Sequence, residues 1–227
     1  GAYVISQGGL SLGDNYAMTF EGNSLNITKK QIAIIADPQT KVYGVATDPA
    51  LTYKLAAGNI LVGTDAFTGS LTRAIGENVG NYAIGLGNLV LSNNYTLLFT
   101  GNNLTITKAD LTVKPDDKTK VYGDNNPVFT FGYTGFVNGD GASAVQTAPT
   151  ATTTSVVSSN VGTYPITPSG GLSANYNLLY SNGTLTITKA GALIVKADDK
   201  YIYSGDPQPT YTSTYTGFKN NDQTSIT

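Results

Sequence analysis

Three short landmarks recur along this chain in a fixed order, and their spacing limits the fold more than any single residue does. The run Gly183-Thr184-Leu185-Thr186-Ile187-Thr188-Lys189 returns as Asn103-Leu104-Thr105-Ile106-Thr107-Lys108 and as Ser24-Leu25-Asn26-Ile27-Thr28-Lys29. Lys41-Val42-Tyr43-Gly44 returns as Lys120-Val121-Tyr122-Gly123 and, altered, as Tyr201-Ile202-Tyr203-Ser204-Gly205. Val161-Gly162-Thr163-Tyr164-Pro165-Ile166 pairs with Val79-Gly80-Asn81-Tyr82-Ala83-Ile84 and with Gly1-Ala2-Tyr3-Val4-Ile5, while Asn175-Tyr176 pairs with Asn94-Tyr95 and Asn15-Tyr16. Both the lysines that close the first landmark and the tyrosines of the second lie 79 and 81 residues apart. A shared period of about 80 residues implies copies of one small domain in tandem. The copies run over 1–30 (the C-terminal portion of a repeat), 31–109 and 110–190 (complete repeats) and 191–227 (the N-terminal portion of another).

Within a copy, apolar and polar residues alternate in Leu111-Thr112-Val113-Lys114 and in Thr184-Leu185-Thr186-Ile187-Thr188, the mark of half-buried strands with a threonine row toward solvent. No segment keeps a 3.6-residue apolar stripe for three turns. Tyr176 to Tyr180, Ser181-Asn182-Gly183 and Thr184 onward read as a β-hairpin, because Asn-Gly supplies the positive φ of a tight turn. Thr100-Gly101-Asn102-Asn103 takes the same role in the preceding repeat. Ser159 to Tyr164 has the spacing of an immunoglobulin-type tyrosine corner, in which the hydroxyl bonds back to upstream backbone. The expected fold is therefore all-β, a tandem array of Ig-like β-sandwich domains. The alternative is a ubiquitin-like β-grasp unit with one short helix, seeded by Asp140 capping Gly141 to Val145. Only Ala109-Asp110 and Ala190-Gly191 separate successive repeats, which predicts stiff junctions. By repeat alignment Thr227 corresponds to Val145 and Gly1 to Gly162. The end pieces read as cuts from a longer array, or as halves that complete one another head-to-tail between copies.

With no histidine and no cysteine, the chain cannot build a Ser-His-Asp or Cys-His nucleophile, or a histidine metal site. Carboxylates remain: Asp37, Asp48, Asp65, Asp116, Asp117, Asp124, Asp140, Asp198, Asp199, Asp206 and Asp222. Most recur at equivalent positions, as turn residues do, and a catalytic pair repeated in every copy of an array is an improbable design. The expectation is no enzyme. Calcium is the sharper candidate ligand, through Asp116, Asp117, Asp124 and Asp140 with Asn125, Asn126 and Asn138, although their spacing matches no EF-hand loop. Tyr122, Tyr133, Tyr164, Tyr176 and Tyr180 could stack on sugars, yet tyrosines that recur in every copy are what a core requires. Thirteen basic and fifteen acidic residues form no run of one sign, so neither nucleic acid nor an anionic membrane is an expected partner. No run of 18 apolar residues is present and no charged-then-apolar leader opens this segment, so any membrane span or signal peptide is expected outside it. Asn26, Asn94, Asn103 and Asn182 sit in glycosylation triplets, short patterns expected by chance in so Asn- and Thr-rich a chain.

The ordered set Lys120-Val121-Tyr122-Gly123-Asp124-Asn125-Asn126-Pro127, Gly135-Phe136-Val137-Asn138-Gly139-Asp140, Val161-Gly162-Thr163-Tyr164, Asn175-Tyr176 and Gly183 to Lys189 resembles the MBG family of bacterial surface repeats. The resemblance is strongest over 110–190. In 31–109, Val62-Gly63-Thr64-Asp65 stands in place of the Val-Asn-Gly-Asp run, and the preceding Gly-Phe is missing. The resemblance implies a large, secreted, cell-surface protein of the adhesin or filamentous-haemagglutinin kind, with the repeats as stalk or adhesive modules and no catalytic residues. The implied partners are neighbouring repeats of the same chain, other copies head-to-tail, and host or matrix glycans or mucins.

Overall fold

The computed structural model describes residues 1–222, which fall into two compact units, one over 1–107 and one from Lys108 onward. In the first unit the strands are β1 (Ala2–Ile5), β2 (Asn23–Asn26), β3 (Lys30–Ala36), β4 (Gln39–Val42), β5 (Tyr53–Leu55), β6 (Thr72–Arg73), β7 (Gly80–Gly85), β8 (Tyr95–Thr100) and β9 (Asn102–Thr107). The second carries β10 (Ala109–Pro115), β11 (Lys118–Val121), β12 (Phe131–Thr134), β13 (Thr150–Thr152), β14 (Gly162–Ser169), β15 (Tyr176–Tyr180), β16 (Gly183–Thr188), β17 (Ile194–Ala197) and β18 (Ser213–Thr216). The chain is all-β, as the alternation predicts. Leu111, Val113, Leu185 and Ile187 are buried while Thr112, Lys114, Thr184 and Thr188 are exposed.

Each complete repeat is a sandwich of two sheets. One sheet has three strands, ordered β5-β3-β8 or β12-β10-β15; the other has four, ordered β4-β9-β7-β6 or β11-β16-β14-β13. In the earlier repeat Ile32 and Ile34 of β3 and Tyr95 of β8 share one apolar cluster with Ile84 of β7 and Leu104 of β9, so both sheets build one core. Burying each such aliphatic side chain contributes about 1.5–3 kcal/mol. The tyrosine corner forms as expected, with the Tyr164 hydroxyl donating to the Asn160 carbonyl at 2.9 Å and the Tyr82 hydroxyl to Asn78 at 2.8 Å. The helix of a β-grasp unit is reduced to a 3-10 turn, Ala142–Ala144, whose N-terminus has no side-chain cap.

The predicted hairpins do not form, and the reason defines the fold. β15 and β16 do not pair with each other; they follow one another in the same direction through different sheets. β10 runs parallel to β15 (Ala109↔Tyr176) and β11 runs parallel to β16 (Lys118↔Leu185), a separation of 67 residues in both. In the earlier repeat β3 runs beside β8 (Lys30↔Tyr95) and β4 beside β9 (Gln39↔Leu104), a separation of 65 in both. The opening and closing segments of each repeat therefore stay in one parallel register while both cross from one sheet to the other. Each sheet departs in this from the all-antiparallel immunoglobulin pattern. At the crossing a Cβ on Gly183 would lie 2.5 Å from the Pro115 carbonyl oxygen. This glycine serves close backbone approach and not a turn.

The opening segment is fixed at its bend by a recurrent pair. Asp37, Asp116 and Asp198 each donate their N–H to a threonine carbonyl at 2.9 Å, on Thr52, Thr130 and Thr212 respectively. The same threonines return a hydroxyl bond to the aspartate, at 2.8 Å for Thr52 and 2.5 Å for Thr212, with Thr130 bonded likewise to Asp116. Ala109 and Asp110, expected as a connector, are the first residues of β10, leaving only Lys108 between β9 and β10. The next connection is longer than the expected Ala190-Gly191 pair, since residues 189–193 lie between β16 and β17.

The partial repeats keep the register of the complete ones: Tyr3 opposes Leu25 as Tyr82 opposes Leu104, and Val195 opposes Tyr215 as Val113 opposes Tyr133. Their core-facing positions are open. Leu25 and Ile27 are exposed, whereas their equivalents Leu104, Ile106, Leu185 and Ile187 are buried.

Candidate functional site

The four aspartates singled out as calcium ligands occupy separate structural posts. Asp116 sits in the Asp-Thr bend just described. Asp117 accepts the Thr184 N–H at 2.8 Å, which holds its carboxyl below the ordinary carboxylate range, with Lys114 adding a contact at 3.4 Å. This bond caps the start of β16. Pro38 stands at the equivalent position in the earlier repeat, where Asn102 replaces Gly183 and caps Asn103 N–H with its own side chain at 3.0 Å. One capping function is thus met from across the sandwich in one repeat and locally in the other. Asn126 bonds the Ser155 carbonyl at 2.7 Å. Among the described residues no group of three or more His, Cys, Asp or Glu side chains gathers into a metal site.

Asp140 belongs to a latch around a buried tyrosine. The Tyr176 hydroxyl meets Asp140 Oδ2 at 2.7 Å and accepts the Val137 N–H at 3.0 Å, and the Tyr176 ring packs edge-on against Phe136 with centroids 5.5 Å apart. In the earlier repeat Tyr95 does the same, meeting Asp65 Oδ2 at 2.7 Å and the Val62 N–H at 2.9 Å. Val62 to Asp65 is therefore the functional counterpart of Val137 to Asp140 despite the lost Gly-Phe. Bonding to Asp65 favours the protonated hydroxyl and raises the Tyr95 pKa.

An ionic cluster in the 31–109 repeat joins Lys41, from a landmark, and Asp48 to two residues that belong to no landmark, Arg73 and Glu77. Lys41 Nζ lies 2.6 Å from both Asp48 Oδ1 and Glu77 Oε2; Arg73 Nε donates to Asp48 Oδ2 at 2.6 Å, and the Arg73 guanidinium also bonds Glu77. The guanidinium lies 5.5 Å from the centroid of the Tyr82 ring and donates to the Gly76 carbonyl at 2.6 Å. These contacts reinforce every group in its charged form. The Asp48 carboxyl is lowered first by Arg73, that of Glu77 first by Lys41, and the Lys41 ammonium is raised first by Asp48. Its ion pairs tie β4 and β6 to the loops bearing Asp48 and Glu77, so the cluster braces this end of the repeat. For Arg73 and Glu77 the sequence signal is rarity: Arg73 is the sole arginine and Glu77 one of two glutamates. In the 110–190 repeat the equivalent Lys120, also buried, donates to the Val156 carbonyl at 2.8 Å and the Asp124 carbonyl at 3.2 Å.

Cavities offer little for chemistry. One of about 540 Å³ lies where 1–30 meets 31–109, and its lining holds a single carboxylate, Asp65, already bonded to Tyr95. Another of about 360 Å³ brings Asp198 and Asp199 beside Lys196, but bonds from Thr212 and Thr214 hold the Asp198 carboxyl ionised. Of the tyrosines weighed as sugar platforms, Tyr176 is buried in the latch, Tyr164 forms the corner, Tyr133 is half-buried beside Phe136, and Tyr180 is exposed. Tyr122 reaches toward the following repeat, where its hydroxyl donates to Asp222 Oδ1 at 3.2 Å.

A family model described as MBG domain (YGX type) matches residues 32–105, 111–186 and 193–227. The chain belongs to the MBG family. The Tyr-Gly-X element of that description is Tyr43-Gly44-Val45 and Tyr122-Gly123-Asp124, turns whose glycines share a φ of 88°. The three matches lie in tandem and mark the chain as an array of MBG repeats. No curated protein matches it.

Proposed function

We propose that this chain is a tension-bearing segment of a secreted bacterial surface stalk, filament or adhesin, in which MBG repeats form a stiff rod. One observation carries the reading: in each complete repeat the opening segment is bonded in parallel to the closing segment through both sheets. The chain enters along β3 or β10 and leaves along β9 or β16. Tension on the two ends therefore pulls these segments along each other in shear and loads their bonds together, whereas an antiparallel terminal pair would open one bond at a time. A rod that holds a cell to a surface needs this property and needs no catalytic group.

Pulling the chain by single thiols added at its two ends tests this, since it has no cysteine of its own. The expected trace shows two abrupt force peaks, one per complete repeat, releasing at most about 280 Å of chain for the 78 residues from β3 to β9 and about 290 Å for the 80 residues from β10 to β16. Gradual extension at low force would overturn the proposal. The alternative role, glycan or mucin binding, rests on the tyrosines, and most of those that recur are engaged inside the repeats; a glycan array probed with the chain is its direct test. We further propose that the partners are neighbouring repeats, and that neither nucleic acid nor a membrane is contacted by this segment.

A further inference from the structure

We infer that the Tyr-Gly-Asp turn of one repeat is a docking face for the Gly-Phe-X-Asn-X-Asp loop of the repeat that follows. Where 110–190 meets 191–222, Tyr122 donates its hydroxyl to Asp222 at 3.2 Å, Lys219 Nζ lies 3.5 Å from Asp124 Oδ1, and Asn220 donates to the Val157 carbonyl at 3.2 Å. Lys219 also covers Gly123. A Cβ built there would lie 2.7 Å from Lys219 Cβ and 3.0 Å from its Cγ, so the bare backbone of the turn is covered by the lysine stem.

The loop is shaped for this contact. Asn220 and Asn221 take left-handed φ values of 51° and 61°, and Asp222 N–H closes the turn on the Lys219 carbonyl at 3.0 Å. Asparagine is a side chain that tolerates this backbone region, so the sequence Asn-Asn-Asp suits a tight loop that aims Lys219 and Asp222 at the preceding turn. The analogous turn at Tyr203 to Asp206 supplies an internal comparison. Gly205 has a φ of 97°, close to the 88° of Gly123, yet nothing lies within 4 Å of where its Cβ would be. Within the described residues both turns need glycine for their backbone conformation, and at 123 the neighbouring Lys219 stem covers it as well. This inference rests on the array reading only for the existence of successive repeats, and adds which residues fix their joint.

The contrast between the two glycines gives the test. Gly123→Asn and Gly205→Asn each put a residue tolerant of left-handed φ into a turn, but only the first inserts a side chain against Lys219. Hydrogen exchange of the peptide 213–222 in the full chain reads whether the loop is docked. The expected result is about tenfold faster exchange in Gly123→Asn and no change in Gly205→Asn. A charge exchange adds a variant that spares the turn: Asp124→Lys should speed exchange about two- to fourfold, and Asp124→Lys with Lys219→Asp should restore it, as befits an exposed pair. Unchanged exchange in Gly123→Asn, equal effects of the two asparagines, or no restoration by the double charge exchange would overturn the joint. None of these residues lies in the terminal-strand pairing, so the pulling experiment stands or falls independently.

Discussion

Replacing Tyr176 by phenylalanine removes one oxygen from the best-enclosed polar contact in the 110–190 repeat. Tyr176 is 1% exposed, and its hydroxyl joins the Val137 N–H at 3.0 Å to the Asp140 carboxylate at 2.7 Å. A bond to a charged partner contributes about 1.5–3 kcal/mol, and the Val137 N–H loses its acceptor in the same step, so a loss of about 2–3 kcal/mol follows. The ring stays, its edge-on packing on Phe136 is kept, and no cavity larger than one oxygen opens, so the area exposed on unfolding is unchanged. Urea denaturation followed by far-ultraviolet circular dichroism should show a lower midpoint with the same slope for this repeat's transition. In heat the shift should be about 10–20 °C, from the entropy of unfolding of a domain of this size. Tyr95→Phe should act equally on the 31–109 repeat, where the bonds are 2.9 and 2.7 Å. A loss below about 0.5 kcal/mol in both variants would refute the latch, since that is the range of an ordinary surface change.

Three further outcomes follow from the same geometry. Gly183→Ala should destabilise the 110–190 repeat by about 1–3 kcal/mol, read by urea midpoint, because the new methyl meets the Pro115 carbonyl at 2.5 Å and backbone must give way. The 31–109 repeat should lose stability at both pH extremes. Its Asp48 and Glu77 carboxyls titrate below their unfolded values, so their contribution is complete above about pH 4.5 and falls away as pH drops through the folded values; Lys41 and Tyr95 titrate above theirs, so that contribution is complete below about pH 10 and falls away as pH rises further. Arg73→Met should flatten the acid arm, as thermal melts across pH would reveal. Millimolar calcium should leave the melting temperature unchanged, whereas an extracellular-type site at fifty times its Kd would add about 2 kcal/mol.

What could be read from the sequence was what local pattern determines. Alternation in Leu111 to Lys114 and Thr184 to Thr188 located strands and their inner faces correctly, and the spacing of Tyr164 located a corner whose bond spans only four residues. The hairpin at Asn182-Gly183 failed because the Asn-Gly signal is local while the demand on Gly183 comes from Pro115, far back in the chain. A glycine kept for closeness looks, in sequence, like a glycine kept for turning. The recurrence of Asp37, Asp116 and Asp198 points to turn chemistry, and the bend is indeed there, but its partners Thr52, Thr130 and Thr212 show only in three dimensions. The Lys41-Asp48-Arg73-Glu77 brace was illegible because the next repeat lacks it: Lys120 keeps its place there and bonds carbonyl oxygens in its stead.

We propose that these MBG repeats form an extended, stiff array, and small-angle X-ray scattering of the 227-residue chain measures that shape. A single compact particle of this length would have a radius of gyration of about 17 Å and an unfolded chain one of about 52 Å. A stiff array gives a value clearly between them with a rod-like decay of intensity at intermediate angles. A value near 17 Å, or the profile of freely jointed domains, would contradict it.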